Sequence, residues 1–375
     1  MAAGPTGGPT TLTTPFALQA TLLVLAGTGL GLVVARLTRL RAISFRFTLA
    51  WAVIAGIAVL AIPLLPLVEA VAARLALSPA ALLTVAVSVV LLAIALQLSV
   101  TVSGLGMRTD ELAIAFALAN APARSRDPER TRSPRTDALV VVPAYNEQGS
   151  VGDVVRRARA TGLDVIVVDD GSSDATAEVA AQAGAVVLRL PTNLGVGAAL
   201  RTGFRVALRD GYTRVVQCDG DGQHAPEEIP RLLAEHRSRE VDLLIGSRFL
   251  TAEAARPPAT RWFAMRLLAR SASRAAGVPI TDATSGFRVV SSPLLEEFAA
   301  GLPNHYLGDT YEALVAAGRA GFRVAEVPVP TIARSHGSSS ASAFAATTFT
   351  VRVLAVVGIR AHAPFRPARA ARIGP

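Results

Sequence analysis

Two carboxylates stand one residue apart in this chain, at Asp219 and Asp221, and Gln223 follows them. The apolar run before them is typical of a buried strand, and the glycines between them favour a turn. Side-chain oxygens of this kind suit Mg²⁺ or Mn²⁺, which commonly bind one or two carboxylates together with substrate phosphates. Taken alone, the pair fits a metal-diphosphate site and a solvated Asp/Gly turn equally well.

Polar residues follow three other strand-like runs. Pro143, Tyr145 and Glu147 come after the first run, and the adjacent acids Asp169 and Asp170 come after the second. Helix capping explains the serines that follow, but two acids at the end of an apolar strand need partners, which a nucleoside offers through its base N–H and ribose hydroxyls.

The third run leads to a glycine pair that ends at Gly197, with Arg201 one helical turn further on. Such glycines let the backbone approach a phosphate, which Arg201 could help to hold, whereas glycine for close packing is the alternative.

Strand-like runs and helical segments alternate along the part of the chain that carries these residues. Helical segments are predicted near 149–161, 174–183, 197–210 and 226–238. They alternate with strand-like runs at 138–142, 164–168, 185–190, 214–218 and 241–245. This pattern predicts an α/β domain with a mostly parallel sheet, in which ligands bind at the carboxyl ends of the strands.

The composition indicates a membrane-embedded part and anionic partners. Of 375 residues, 51% are hydrophobic and only 17% are charged, and the net charge of +9 comes from arginine, since the chain has no lysine. Nucleic acid is disfavoured as a partner because aromatic residues are only 5% and form no stripe with the arginines. The single cysteine, Cys218, cannot form an internal disulfide, which fits a reducing compartment and a core position.

Three apolar stretches, at 16–34, 47–68 and 80–102, are each close to the about 20 residues that cross a bilayer. Arg36, Arg39, Arg41 and Arg46 crowd the loop between the first two, and the positive-inside rule places that loop in the cytoplasm. The sequence therefore predicts a multi-pass protein of the cell membrane whose chain beyond Met107 lies in the cytoplasm.

Six ordered motifs, VVPAYNE, VVDDGSSD, NLGVGAALRTGF, CDGDGQH, GSR and TDATSGFR, resemble family 2 glycosyltransferases of the dolichyl-phosphate mannosyltransferase and polyprenyl-phosphate glycosyltransferase type. The resemblance implies a GT-A fold, a UDP- or GDP-linked nucleotide sugar donor, a polyprenyl phosphate acceptor and Mg²⁺ or Mn²⁺. The expected organisation is then a leader at 1–15, three transmembrane helices within 16–105, a juxtamembrane segment and basic linker at 106–137, a GT-A domain at 138–340, and an interfacial helix with a basic tail at 341–375.

The resemblance also implies roles for individual residues. The residues expected at the nucleotide sugar are Pro143, Tyr145, Glu147, Asp170 and Arg334. Asp170 is expected to read the base. The glycine pair that leads into the predicted helix at 197–210 adds Gly197 and Arg201 to this set. Ser338 belongs with Arg334 to a loop that closes over the donor diphosphate. Expected as metal ligands are Asp219, Asp221 and Gln223. Expected at the acceptor phosphate are Arg248, Arg261 and Ser285, and the segment that shapes the acceptor and sugar site comprises Asp282, Ser285, Gly286, Phe287 and Arg288.

A polyprenyl phosphate is already an anionic nucleophile, so the expected reaction is a direct, inverting attack that needs alignment and charge stabilisation and no obligatory general base. If the acceptor were instead a hydroxyl of a glycolipid or cell-envelope polysaccharide, Asp282 would have to serve as the base. An inactive membrane scaffold is the alternative of another class, and the retained acids and arginines disfavour it. The bilayer is an expected partner, and a homo-oligomer stays open.

Overall fold

The computed structural model describes residues 14–39, 51, 55–56, 59–60, 70–71, 73–74, 78–121, 137–250, 259–301, 309–330 and 332. Two compact units divide the chain, Met1–Gly104 and Leu105–Pro375. The predicted basic linker lies almost wholly outside the described residues, and so does the predicted C-terminal interfacial helix.

Two long helices cover two of the three predicted spans. Helix α1 comprises Thr14–Arg39, and helix α2 comprises Pro79–Ala119. Within the described residues, one helical stretch, Val87–Ala119, is long and apolar enough to cross a membrane, with a mean hydropathy of 2.1. The predicted span at 47–68 falls mostly outside the described residues, so three transmembrane helices stay a prediction.

The second unit contains a seven-stranded sheet of order β3-β2-β1-β4-β6-β5-β7. Its strands are β1 Ala138–Ala144, β2 Asp164–Asp169, β3 Val186–Arg189, β4 Arg214–Gln217, β5 Leu243–Ser247, β6 Arg288–Ser291 and β7 Val324–Pro328. Within this sheet β6 pairs antiparallel with β4 and β5, and the remaining pairs are parallel. The predicted mostly parallel α/β sheet is confirmed.

Helices cover both faces of this sheet. They are α3 Val151–Ala160, α4 Thr176–Gln182, α5 Val196–Arg209, α6 Ile229–Ser238, α7 Ala259–Ala276, α8 Ser292–Gly301 and α9 Asp309–Arg319. The first four occupy the segments predicted to be helical, because each carries an apolar face at helical spacing.

The core divides at β1, all seven residues of which are buried. Because side chains alternate along a strand, Leu139 and Val141 pack in one apolar cluster and Val140 in the other. Helix α5 lies so close to the first face that a Cβ on Gly203 would come within 2.4 Å of the Val141 side chain. Cys218 is buried in the second cluster, as predicted for a core cysteine.

The end of α2 also belongs to this core. Ile114 is fully buried in the first cluster, and Ala117 is 4% exposed beside it. The chain predicted as a juxtamembrane segment is therefore helical as far as Ala119 and contributes apolar surface to the α/β unit.

Candidate active site

The Asp-x-Asp turn follows β4 at the carboxyl end of the sheet. The Asp219 N–H donates a hydrogen bond to His224 Nδ1 at 3.0 Å, and the Gln223 N–H donates to Asp221 Oδ1 at 3.0 Å. Gly222 has a φ of 77°, a left-handed conformation that glycine adopts readily. These contacts fold the turn back on itself and leave the Asp219 side chain 36% exposed at the sheet edge.

The donor set of this turn fits Mg²⁺ or Mn²⁺. Two carboxylates and an amide offer oxygen ligands, and no group of three or more His, Cys, Asp or Glu that could hold a metal occurs among the described residues. A hard cation held by few protein oxygens takes its remaining ligands from substrate phosphates and water. The turn therefore offers a donor set that diphosphate oxygens could complete.

Arg248, directly after β5, forms a two-pronged ion pair with Asp282. Arg248 Nε donates to Asp282 Oδ2 at 2.7 Å and Nη2 donates to Oδ1 at 2.9 Å. The Asp282 side chain is fully buried and the Arg248 side chain is 24% exposed. The buried carboxylate thus fixes the guanidinium, whose uncovered part faces outward.

Asp282 is held in its ionised form. Burial raises the pKa of this carboxyl, but the hydrogen bonds and positive charge of Arg248 outweigh it, so the pKa lies below the ordinary value. The pKa of Arg248 is raised, because the same pairing and the charges of Asp219 and Asp221 outweigh its own desolvation. The acids of the turn and the Arg248 guanidinium therefore share one electrostatic environment.

The carboxylate of Glu326 on β7 binds the main chain of the segment that carries Asp282. Its Oε1 accepts the Asp282 N–H at 2.7 Å, and its Oε2 accepts the Thr281 N–H at 2.8 Å. Sequence reasoning missed Glu326, because only the pairing of β5 with β7 brings it to this segment.

Ser285 and Arg288 lie inside the fold. The Ser285 hydroxyl donates to the Gly246 carbonyl at 2.6 Å. Arg288 is 2% exposed and donates through Nε, Nη1 and Nη2 to the carbonyls of Ser285, Thr310 and Ala283. Burial lowers the pKa of Arg288 to about 10. Both residues were predicted to act at the acceptor site, and the structure uses their polar atoms to shape the 282–286 segment.

The adjacent acids at the end of β2, Asp169 and Asp170, find partners within the chain. Asp170 accepts the N–H groups of Leu194 and Gly195, each at 2.8 Å. Asp169 accepts the Ser172 N–H at 3.0 Å. The inference that these acids lack partners without a nucleoside was therefore wrong, because the loop before α5 contacts Asp170, and Ser172 and Arg189 contact Asp169. Asp170 connects that loop to the sheet edge.

The other predicted donor residues lie at the same edge. Pro143 pairs with Val168 in the sheet, and Tyr145 is 47% exposed just beyond it. The Glu147 carboxylate accepts a hydrogen bond from the Ser150 hydroxyl at 2.9 Å. Gly197 lies in the first turn of α5.

Arg201 differs from its predicted role. Its guanidinium forms an ion pair with Glu111 of α2, and Arg205 contacts the same carboxylate at 3.0 Å. Arg201 is 6% exposed, and burial lowers its pKa to about 10. The prediction that Arg201 holds the donor phosphate is corrected on this point, because the side chain is directed to α2.

The side chains of three predicted residues lie outside the described part of the structure. Arg261 lies in the first turn of α7, where only its backbone is described. Arg334 and Ser338 lie outside the described residues.

The strand order, with antiparallel β6 inserted between β4 and β5 and an Asp-x-Asp turn after β4, defines the GT-A class of nucleotide-sugar-dependent transferase folds. Residues 139–298 match the family described as Glycosyl transferase family 2. The chain belongs to this family and is a glycosyltransferase.

Named relatives agree with this assignment. A polyprenol monophosphomannose synthase of Mycolicibacterium smegmatis is 33% identical over 58% of this chain and 84% of its own. An undecaprenyl-phosphate mannosyltransferase of Micrococcus luteus is 32% identical over 54% of this chain and 87% of its own. A crystal structure of Mycobacterium tuberculosis glucosyl-3-phosphoglycerate synthase has a TM-score of 0.45 and 24% identity, covering 63% of this chain and 84% of that chain.

Proposed function

We propose that this glycosyltransferase moves a sugar from a UDP- or GDP-linked donor to a polyprenyl phosphate, with inversion at the anomeric carbon. The names of the two relatives support this acceptor class, since one is an undecaprenyl-phosphate mannosyltransferase and the other a polyprenol monophosphomannose synthase. Both similarities extend over more than four fifths of the relative's own length.

The observation that carries the choice of acceptor is the pairing of Asp282 with Arg248. A hydroxyl acceptor needs a general base, and an efficient base has a pKa near the working pH. Asp282 has a lowered pKa, and Arg248 engages both of its carboxylate oxygens. A phosphate acceptor is already ionised and needs no such base, so a buried, fixed Asp282 is compatible with phosphate and unsuited to a hydroxyl.

On the donor side, Asp219, Asp221 and Gln223 are proposed to hold Mg²⁺ or Mn²⁺ at the sugar nucleotide. When bound, this metal supplies Lewis-acid stabilisation of the charge that grows on the leaving diphosphate. Pro143, Tyr145 and Glu147 border the space proposed for the nucleoside, and Asp170 holds the loop before α5 beside it. Gly197, in the first turn of α5, is proposed to let the backbone approach the diphosphate.

On the acceptor side, Arg248 is proposed to meet the lipid phosphate. A planar guanidinium binds phosphate oxygens through paired N–H groups, and the Asp282 carboxylate holds the Arg248 guanidinium in one orientation for such a contact. Arg261 and Arg334 remain proposed helpers, whereas Ser285 supports the segment through Gly246.

The surroundings of Arg248 suit a lipid. Phe249 and Trp262 pack edge to face, with ring centroids 5.4 Å apart. Their sequence neighbours are exposed apolar residues, Leu250 at 43% and Phe263 at 64%. An isoprenoid chain would cover this surface, whereas a soluble sugar acceptor would leave it in water.

A membrane location is part of the proposal. Apolar side chains of α2 are exposed, among them Leu92 at 72% and Leu96 at 67%. A bilayer would cover them, and the arginines between the first two predicted spans favour a cytoplasmic face for the transferase domain. A multi-pass topology remains part of this proposal.

The test is a donor screen with a matched acceptor pair. Purified full-length protein with Mn²⁺ is given radiolabelled UDP-glucose, GDP-mannose or UDP-N-acetylglucosamine, together with undecaprenyl phosphate or undecaprenol. The proposal expects label in the organic phase with one donor and only with the phosphate. Equal labelling of the alcohol, or labelling of neither lipid with any donor, would overturn it.

A further inference from the structure

The Asp219 carboxylate lies against Gly286 of the segment that precedes β6. A Cβ atom built on Gly286 would lie 2.2 Å from Asp219 Oδ2 and 2.5 Å from Oδ1. Even an alanine methyl would therefore displace this carboxylate from its observed position. Gly286 thus leaves the space that the Asp219 side chain occupies.

His224 holds the same residue through its main chain. A backbone N–H only donates, so the bond from the Asp219 N–H to His224 Nδ1 requires that Nδ1 carries no proton. The other ring nitrogen, Nε2, lies 3.7 Å from Asp219 Oδ2. The ring therefore accepts a hydrogen bond from the Asp219 main chain and also lies beside the Asp219 carboxylate.

The His224 ring is itself fixed by Phe287. The two rings stack with centroids 4.9 Å apart and an angle of 11° between their planes. Phe287 is fully buried and His224 is 7% exposed. Phe287 directly follows Gly286, so two adjacent residues act on the same site. Gly286 leaves room for the Asp219 carboxylate, and the Phe287 ring orients the His224 ring.

We infer that His224, Gly286 and Phe287 form a support that sets the orientation of the Asp219 carboxylate, with His224 as a positioning residue for the metal-diphosphate site. The inference rests on the proposed function, because Asp219 is there a ligand of the divalent cation. Groups that orient a metal ligand commonly change metal affinity about 10–100-fold when they are removed. Loss of this support would weaken Mn²⁺ binding directly. It would slow sugar transfer only as a consequence of the weaker metal binding.

The test measures Mn²⁺ affinity of the full-length protein by electron paramagnetic resonance, with UDP in one arm and GDP in the other. We expect Gly286→Ala to weaken Mn²⁺ binding about tenfold or more. Gly301→Ala is the control, since a Cβ there meets no atom within 4 Å. The control should bind as wild type does, and thermal melting of both variants checks the fold.

A pair of substitutions at His224 tests the histidine separately. His224→Asn keeps an acceptor near the Nδ1 position, whereas His224→Gln moves its amide to the Nε2 position and loses the bond to the Asp219 N–H. Both remove the ring, so they share its packing cost. We expect His224→Asn to bind Mn²⁺ more tightly than His224→Gln, by about tenfold.

Asp221→Ala separates failure of this inference from failure of the proposed function. If wild-type protein and Asp221→Ala bind Mn²⁺ equally weakly with both nucleotides, the proposed metal role fails. If wild type binds and Asp221→Ala does not, equal binding by the two His224 variants overturns the positioning role. Wild-type affinity in a folded Gly286→Ala overturns the role of Gly286. Should that variant not fold, the His224 pair alone decides the inference.

Discussion

Arg248 and Asp282 form a bidentate ion pair, in which Arg248 Nε donates to Asp282 Oδ2 at 2.7 Å and Nη2 donates to Oδ1 at 2.9 Å. The carboxylate is fully buried and the guanidinium is partly exposed at the site. The pair assigns different tasks to its members. Asp282 fixes the orientation of the guanidinium, and in the proposed reaction Arg248 presents its charge to the acceptor phosphate.

Replacing Arg248 by lysine should affect the acceptor more than the donor. A lysine keeps the charge, but its ammonium lacks the planar array of N–H groups with which a guanidinium can bind a carboxylate and a phosphate together. We expect Arg248→Lys to raise the apparent KM for polyprenyl phosphate about tenfold or more, with a smaller change for the nucleotide sugar. Steady-state kinetics with each substrate varied in turn measures both values.

The control for this change is Arg239→Lys, because Arg239 pairs with Glu235 at 2.8 Å on exposed helix surface. That variant should keep both KM values. Equal rises for donor and acceptor in Arg248→Lys would argue against an acceptor role for Arg248.

The pH dependence of transfer should come from the acceptor and not from Asp282. A phosphate monoester gains a proton as pH falls through about 6. The pKa of Asp282 lies below its ordinary value, so this carboxyl stays ionised through that range. We expect the rate to rise with pH through that range in wild type. Asp282→Asn should lower the rate and leave the midpoint in place. Loss of the rise in Asp282→Asn would instead identify Asp282 as a base.

His236 should make folding stability fall in acid. The side chain is 3% exposed, and burial lowers its pKa to about 4 from an ordinary value of 6.5. The unfolded chain therefore binds a proton first as pH falls, and the stability present above pH 6.5 is lost between there and about pH 4. Wild type should lose about 2 kcal/mol between pH 8 and pH 5 from this group.

The matched variant is His236→Leu, which cannot titrate. Denaturant unfolding at pH 8 and pH 5 should show a smaller loss in this variant than in wild type. An equal loss in both proteins would remove His236 as the cause.

The ion pair between Arg201 and Glu111 should stabilise the fold without touching the donor. Glu111→Ala leaves the buried Arg201 guanidinium without this partner and should cost about 1–3 kcal/mol of unfolding free energy, discounted because Glu111 is half exposed. Chemical denaturation measures the cost. The double change Glu111→Leu with Arg201→Met should recover part of it and keep the KM for the nucleotide sugar. A large rise in that KM would restore Arg201 to the donor site.

The sequence predicted five strands and four helices of this unit because their apolar residues repeat at strand or helix spacing. Strand β6 was missed because it is only four residues long and two of them, Arg288 and Ser291, are polar. Strand β7 was missed as well, since its pairing with β5 joins distant parts of the chain.

The sequence could predict which residue types form the site and at which strand ends they lie. The Asp-x-Asp turn and the Gly-Ser-Arg segment lie where ligands bind in parallel sheets, as expected. Spacing could not tell that Arg201 turns toward α2, because its ion pair is with Glu111, which lies in a distant part of the chain. Nor could it tell that Asp170 binds the loop before α5, or that Gly286 gives space to Asp219, since both depend on contacts between distant segments.

The most direct test of lipid-phosphate transfer is ³¹P NMR of the lipid product. After reaction with the accepted nucleotide sugar, the polyprenyl phosphate signal should change from that of a phosphate monoester to that of a phosphodiester. Asp221→Ala, mixed with the same substrates, should leave the monoester signal unchanged. A lipid that carries the sugar while its phosphorus remains a monoester would contradict the proposed acceptor.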